Sequence, residues 1–207
     1  FIQLLYKRNM TIINKKKKPL IIAFMGVDGS GKTTIIRKLI KNSKKKFQKI
    51  KYLHLRPYFF LTDKRTIIKK PHNHKKNISK FFSFFKIIMW LVIYRIFFFI
   101  NSFKVNQLII FDRYAHDLLI DPIRYDFKLS KKLTKFILNL FPEPDVWIIL
   151  TASDIRIEER KKELSRHELK KQKKLYLNFS RSKNNSFIVN TNIDISKNIE
   201  FIKKKLI

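Results

Sequence analysis

The chain has 207 residues and a formal net charge of +32, and 45% of its residues are hydrophobic. This length suits one globular domain, and the apolar fraction is too high for a disordered chain. The absence of cysteine excludes disulfides, thiolate metal sites and cysteine nucleophiles. Because 36 lysines stand against 11 arginines, we interpret the charge as the background of an AT-rich coding sequence, in which the rare residues carry the functional information.

The first 18 residues are predicted to form a basic extension, and residues 19–207 a single domain. The extension has neither the apolar core nor the small-residue cleavage site of a signal peptide. Met10 is an alternative start, and we expect a cytoplasmic location.

Short apolar runs alternate with helical patterns along the rest of the chain. Five runs are predicted to be strands: 20–25, 49–55, 107–111, 146–150 and 186–189. Apolar residues at helical spacing lie between them and after the last one. The alternation predicts an α/β fold with three layers, in which a five-stranded parallel sheet carries helices on both faces. A charged helical segment at about 154–176 is predicted to be a small lid.

The segment 81–100 is apolar over a length that could cross a membrane. Lys86 and Arg95 interrupt it and lie nine residues apart, on opposite faces of a helix. We therefore expect no membrane span and predict a buried core helix that is hydrophobic on nearly all sides. A helix lying on a membrane surface is the remaining alternative.

All three glycines of the chain lie in one loop, which matches the pattern G-x-x-x-x-G-K-[ST] at residues 26–33. Such a loop binds the phosphates of ATP through backbone N–H groups, the lysine and the N-terminus of the following helix, and its Thr33 hydroxyl ligates Mg²⁺. It follows a predicted strand and precedes a helix, as the pattern requires. The residues predicted to bind the phosphates are Gly26, Asp28, Gly29, Ser30, Gly31, Lys32, Thr33 and Thr34.

The third strand ends in the sequence FDRY at residues 111–114. A carboxylate at the end of a strand beside such a loop is suited to hold Mg²⁺, which makes Asp112 and Thr33 the predicted metal ligands. The guanidinium of Arg113 suits bidentate contact with a second phosphate.

From about residue 20 to residue 206 the sequence resembles the thymidylate kinase family. The resemblance rests on GVDGSGKTT (26–34), FDRY (111–114) and PDVWIILTASDIRIEER (144–160). It implies a P-loop NTPase fold, ATP and Mg²⁺ as cofactors, a homodimer, and transfer of the ATP γ-phosphate to a nucleoside monophosphate such as dTMP.

The resemblance also implies roles for single residues. Asp28 would accept a hydrogen bond from a sugar hydroxyl of the acceptor, Arg160 would close as a lid residue over the transferred group, and residues 190–192 would lie near adenine. The implied catalytic residues are Lys32, Asp112, Arg113 and Arg160. The implied acceptor-binding residues are Asp28, Arg56, Arg113, Tyr114 and Asp117.

The sequence departs from the family where thymine is recognised, because Asp121-Pro122 stands in place of the usual polar end of that motif. An alternative is therefore a kinase that acts on a sugar or nucleoside hydroxyl in surface-polysaccharide metabolism, with Asp117 or Asp121 as general base. A nucleic-acid-binding P-loop ATPase is a weaker alternative, because the lysines are spread over every segment. We expect no nucleic-acid partner.

Overall fold

The computed structural model describes residues 18–55, 79–160 and 165–206. Five strands alternate with helices in these ranges. The strands are β1 (Leu20–Met25), β2 (Lys49–His54), β3 (Gln107–Asp112), β4 (Val146–Thr151) and β5 (Ser186–Asn190). The helices are α1 (Lys32–Ser43), α2 (Lys80–Ser102), α3 (Asp117–Ile120), α4 (Lys131–Leu138), α5 (Asp154–Arg160), α6 (Arg166–Arg181) and α7 (Ile195–Leu206), with one turn of 3-10 helix at Ile123–Tyr125.

The strands form one parallel sheet in the order β2-β3-β1-β4-β5. The central strands β1, β3 and β4 are almost entirely buried, as their unbroken apolar sequences predict. Since β1 lies between β3 and β4, the loop that follows β1 emerges at the middle of the sheet edge. Ligands of open α/β sheets bind at this carboxyl end, where the strand order reverses. The predicted five-stranded parallel sheet is confirmed.

Helices cover both faces of this sheet, which confirms the predicted three layers. On one face, α1 and α7 pack on β1 through a cluster that includes Ile35, Leu39 and Ile202. On the other face, α2, α4 and α6 contribute to a second and larger cluster that contains Trp90 and Tyr176. The sheet is therefore shielded from water on both sides, and the strand ends are left for ligands.

The long apolar helix α2 is buried along one stripe only. The buried residues follow each other at intervals of three or four: Ser83, Ile87, Trp90, Tyr94, Phe97 and Asn101. The opposite side is exposed, and we call Phe81, Phe85, Val92, Ile96 and Phe99 the outward face of α2. The prediction of a helix buried on nearly all sides is therefore wrong. Of the described helices, α2 alone is long and apolar enough to cross a membrane, and 28% of its most apolar window is buried.

The two cations of α2 both donate to carbonyl oxygens of neighbouring chain segments. The Lys86 ammonium donates to the Tyr125 carbonyl at 2.5 Å, and the Arg95 guanidinium donates to the Leu140 carbonyl at 2.7 Å. Both charges are thereby used to fix the helix to these segments. The five residues of the outward face are uncharged, but Arg95 is exposed beside them.

Two isoleucines on α2 provide a test of this one-sided packing. Ile87 is fully buried, whereas Ile96 is 53% exposed. We expect Ile87→Ala to lower the free energy of unfolding by about 3 kcal/mol, because it leaves a cavity in the core. We expect Ile96→Ala to change the free energy of unfolding of a single chain by less than about 0.5 kcal/mol, because Ile96 lies on the exposed side of α2. Urea denaturation of the two variants, at a protein concentration low enough to keep the chains monomeric, measures the difference, and equal losses would contradict the packing described.

Candidate active site

The loop between β1 and α1 has a backbone that only glycine adopts easily. Gly26, Gly29 and Gly31 have φ angles of +142°, +80° and +84°. A Cβ atom on Gly26 would also lie 2.5 Å from the Leu150 carbonyl oxygen of the neighbouring strand. The backbone angle therefore requires glycine at all three positions, and at Gly26 the available space requires it as well.

The side chain of Lys32 folds back onto this loop. Its ammonium donates to the carbonyl oxygens of Gly26 and Val27, each at 2.7 Å. Burial, together with the charge of Arg113, lowers its pKa from 10.5 to about 7, although Asp28, Asp112 and Asp117 act in the opposite direction. The lysine thus fixes the loop and holds a charge that a bound anion would stabilise.

The lowered pKa of Lys32 has a consequence for stability. Between pH 7 and 10.5 the unfolded chain binds one proton more at this residue than the folded protein does. The free energy of unfolding therefore rises with pH in this window, by up to about 1.4 kcal/mol per pH unit from this group. We expect Lys32→Met to remove this contribution. Urea denaturation of both proteins at about pH 7.5 and about pH 9.5 tests it, and identical pH slopes would contradict it.

An open cleft of about 410 Å³ runs along the loop. It is lined by Asp28, Gly29, Gly31, Lys32, Thr33 and Thr34 of the loop and of the first turn of α1, and by Arg160, Thr191 and Ile195 from other elements. The residues predicted to bind phosphate thus share one surface, except Gly26 and Ser30, which are buried and do not line the cleft.

Two residues from the ends of other elements touch the phosphate loop. The guanidinium of Arg160, at the end of α5, donates to the Gly29 carbonyl at 3.2 Å. The Thr191 hydroxyl, after β5, donates to the Ser30 carbonyl at 3.0 Å. The structure therefore brings Arg160 to the loop. Residues 161 and 162, which follow it, lie outside the described residues, and Arg166 pairs with Glu158.

Arg113 is the most heavily bonded side chain of the site. It is 2% exposed, and its guanidinium donates to Asp117 at 2.5 Å, to the Tyr176 hydroxyl at 3.0 Å and to Asp28 at 2.5 Å. Asp117 also accepts from Tyr125 at 3.0 Å and from Tyr176 at 2.8 Å. Burial and the charge of Asp117 raise the pKa of both tyrosines, which remain protonated donors. This network holds the guanidinium in one orientation.

Asp28 joins the phosphate loop to two arginines. One carboxylate oxygen accepts from Arg113 and the other from Arg124. Burial alone would raise the pKa of this carboxyl, but Arg113, Lys32 and Arg124 outweigh burial and hold the pKa well below its usual range. Asp28 is therefore ionised at any working pH and is a weak base.

Asp112 ends β3 and pairs in register with Phe24 of β1. Its carboxylate accepts from the Tyr52 hydroxyl at 2.7 Å. The described residues contain no group of three or more side chains of the kind that holds a metal alone. Asp112 and Thr33 nevertheless fit Mg²⁺, which takes oxygen ligands and is usually held by one or two carboxylates together with substrate phosphates.

Tyr114 does not line the site, which corrects its prediction as an acceptor-binding residue. Its ring is fully buried beside Tyr94, Phe111 and Trp147, and its hydroxyl donates to the Pro142 carbonyl. The residue that follows the arginine points into the core because the chain turns there toward α3.

Two further residues, Asp117 and Arg56, are predicted to bind the acceptor, and Asp121 is a predicted general base. Asp117 is completely buried, so it does not offer an acceptor a direct contact and acts by positioning Arg113. Asp121 is buried as well. Arg56, predicted to hold the acceptor's phosphate, lies outside the described residues.

Three residues of the network around Arg113 were not predicted from the sequence: Arg124, Tyr125 and Tyr176. Arg124 could have been suspected, because arginine is scarce in this chain and this one stands in the segment that departs from the family. Tyr176 gave no signal, since its segment was assigned to the lid. Instead, α6 packs on β4 and β5, with Leu169 and Tyr176 buried.

No family model and no curated protein matches the sequence. Solved structures do match. A thymidylate kinase from Candida albicans superimposes with a TM-score of 0.60 and 20% identity over 90% of each chain. A thymidylate kinase from Ehrlichia chaffeensis does so with a TM-score of 0.58 and 14% identity over 92% of this chain and all of the other.

The sheet order and the glycine loop define a P-loop α/β fold. More narrowly, the chain has the fold of the thymidylate kinases. The resemblance recognised in the sequence is thus confirmed at the level of the fold. The fold does not identify the substrate or the activity, which have to be argued from the residues of the site.

Proposed function

We propose that the protein is an ATP-dependent phosphotransferase of the thymidylate kinase type, which transfers the γ-phosphate of ATP to a nucleoside monophosphate, dTMP or similar. The observation that carries this proposal is the contact between the phosphate loop and the arginine at the end of β3. Asp28 of the loop and Arg113 form an ion pair at 2.5 Å. Donor phosphates on the loop and an acceptor on the arginine would therefore be neighbours, as in-line transfer requires.

The donor side is supported by the loop and its cleft. ATP with Mg²⁺ would supply the transferable phosphoryl group. Backbone N–H groups of the loop and the Lys32 ammonium would bind the β- and γ-phosphates, and Thr33 with Asp112 would hold Mg²⁺. Lys32 would exchange its two carbonyl contacts for phosphate oxygens, which restores its usual protonation.

Arg160 would neutralise the phosphoryl group during transfer. No cation precedes Lys32 within the loop, so positive charge has to come from another element. The Arg160 guanidinium already lies against the loop at Gly29 and borders the cleft. An arginine supplied by the same chain in this way stabilises the charge of the transition state.

The burial of two aspartates supports a phosphate rather than a hydroxyl as the acceptor. A hydroxyl needs a general base within hydrogen-bond reach, and the two predicted bases, Asp117 and Asp121, are both buried. A phosphate acceptor is already ionised and needs no base. Cytoplasmic nucleotide metabolism is the proposed setting.

The activity is tested by an acceptor screen with ATP and Mg²⁺ that follows ADP release. We expect release with nucleoside monophosphates and little with phosphosugars, nucleosides or sugars. Lys32→Ala should lower the rate at least about a thousandfold, because it removes the cation that binds the β- and γ-phosphates.

Arg37→Ala serves as the control, since Arg37 is exposed on α1 and lies outside the site. It should retain the wild-type rate. Transfer by the Lys32 variant at the wild-type rate would refute the proposed role of the loop, and ADP release that no acceptor stimulates would refute the kinase.

We also propose that two copies associate through the outward face of α2, forming the homodimer that the family resemblance implies. The face lies on a helix of 23 residues, and its five named residues are uncharged. The exposed Arg95 beside them already donates to the Leu140 carbonyl. A twofold axis would place this face against itself, so that mainly phenylalanine, valine and isoleucine side chains are buried.

Sedimentation velocity at micromolar concentration tests this assembly. We expect a dimer for the wild type and a monomer for Val92→Lys, which places a charge in the middle of the face. Phe201→Lys on α7, in the opposite layer, is the matched control and should remain a dimer. A monomeric wild type would refute the proposal.

A further inference from the structure

Arg124 and Arg113 hold one carboxylate between them, and that carboxylate belongs to the phosphate loop. Asp28 accepts a hydrogen bond from Arg113 at Oδ1 and from Arg124 at Oδ2. We propose that this carboxylate occupies the place of the acceptor's phosphate, and that Arg124 with Arg113 binds that phosphate when it displaces Asp28. The identity of the acceptor rests on the proposed function; the two-arginine anion site does not.

The geometry fits this exchange. A carboxylate and a phosphate monoester both present oxygens that match the planar donors of guanidinium groups. Each arginine contributes one N–H group to Asp28, so two oxygens of a phosphate could replace the two carboxylate oxygens on the same donors. Arg113 would keep its bonds to Asp117 and Tyr176 during this exchange, because they use a different nitrogen.

The loss of the Asp28 charge favours an anion in its place. Around the site stand three cations, Lys32, Arg113 and Arg124, and three carboxylates, Asp28, Asp112 and Asp117. When Asp28 turns away, Arg113 keeps Asp117 as a partner, but Arg124 has lost the ion pair described here. A phosphate monoester carries a charge of about −1.5 to −2 at neutral pH and would replace the lost negative charge.

Accessibility separates the roles of the two arginines. The Arg113 side chain is 2% exposed, whereas Arg124 and Asp28 are 14% and 12% exposed. The exchange of Asp28 for a phosphate therefore takes place at the partly exposed side chains of Arg124 and Asp28. It leaves the buried contacts of Arg113 in place. Arg124 lies on the 3-10 turn that follows Pro122. This turn belongs to the segment where the sequence departs from the thymidylate kinases. Arg124 is thus a specificity-determining residue of this chain, selecting phosphorylated acceptors over unphosphorylated ones.

Calorimetric titration without ATP tests the site through binding alone. The probes are dTMP, thymidine, glucose 1-phosphate and inorganic phosphate, which separate the phosphate group from its carrier. We expect Arg124→Gln to weaken dTMP by at least about tenfold and to leave thymidine unchanged. Arg124→Lys should be intermediate, since it keeps the charge but not the planar donors. Arg37→Gln is the control for the loss of one charge and should match the wild type.

Asp28→Asn distinguishes displacement from direct contact with the acceptor. If Asp28 competes with the phosphate, the variant binds dTMP and inorganic phosphate at least about threefold more tightly than the wild type. If Asp28 instead bonds a sugar hydroxyl, dTMP and thymidine both bind more weakly, and the displacement is refuted. Thermal unfolding of every variant verifies that it is folded.

The remaining outcomes are also decisive. A change of less than about twofold in dTMP affinity for Arg124→Gln, or no binding of any phosphate probe by the wild type, overturns the site. Binding that depends on Arg124 without phosphoryl transfer refutes the proposed kinase and supports the anion site. Transfer to dTMP that is unaffected by Arg124→Gln supports the kinase and refutes the anion site.

Discussion

The ion pair between Asp28 and Arg113 connects the two halves of the site. Asp28 belongs to the loop after β1, and Arg113 follows β3, the neighbouring strand. The pair is buried, and such a pair is stable only when its remaining bonding capacity is satisfied. Asp117, Tyr176 and Arg124 meet that requirement. The relative position of loop and arginine therefore follows from electrostatics in a medium of low polarity, and not from the sheet alone.

The sheet positions the two residues of this pair, and the helices pack differently on its two faces. On one side, α1 and α7 pack as ordinary amphipathic helices on β1. On the other, α2 buries a stripe of large aromatics and leaves its outward face in solvent. The aromatic stripe matters for the site, since Trp90 packs edge-on against Tyr125, which in turn donates to Asp117. A helix far along the chain thus fixes a tyrosine of the arginine network.

The sequence sufficed for the features that depend on local pattern and not for those that depend on long-range contact. Unbroken apolar runs predicted β1, β3 and β4, because buried parallel strands need no alternation. The edge strands β2 and β5 are more exposed, and β2 alternates lysines with apolar residues. The glycine loop was predicted because its backbone angles admit few other residues. For α2 an almost uniformly apolar sequence could not indicate which side has a partner. Arg124 meets Asp28 across 96 residues of chain, and Tyr176 meets Arg113 across 63, so no nearby pattern reveals either contact.

Arg113 adopts a left-handed backbone, with φ at +74°. For a residue with a side chain this conformation costs about 1–2 kcal/mol and persists only where the surroundings impose it. Here the backbone N–H of Arg113 donates to the Phe24 carbonyl at 2.8 Å, so the strained residue is fastened to β1. If the pairing of β1 with β3 opened, the strain would be released and the guanidinium would leave the loop. A partly unfolded chain that retained only β1, its loop and α1 would keep the phosphate loop with Lys32 and Thr33 and would lose Arg113, Asp112 and Arg160.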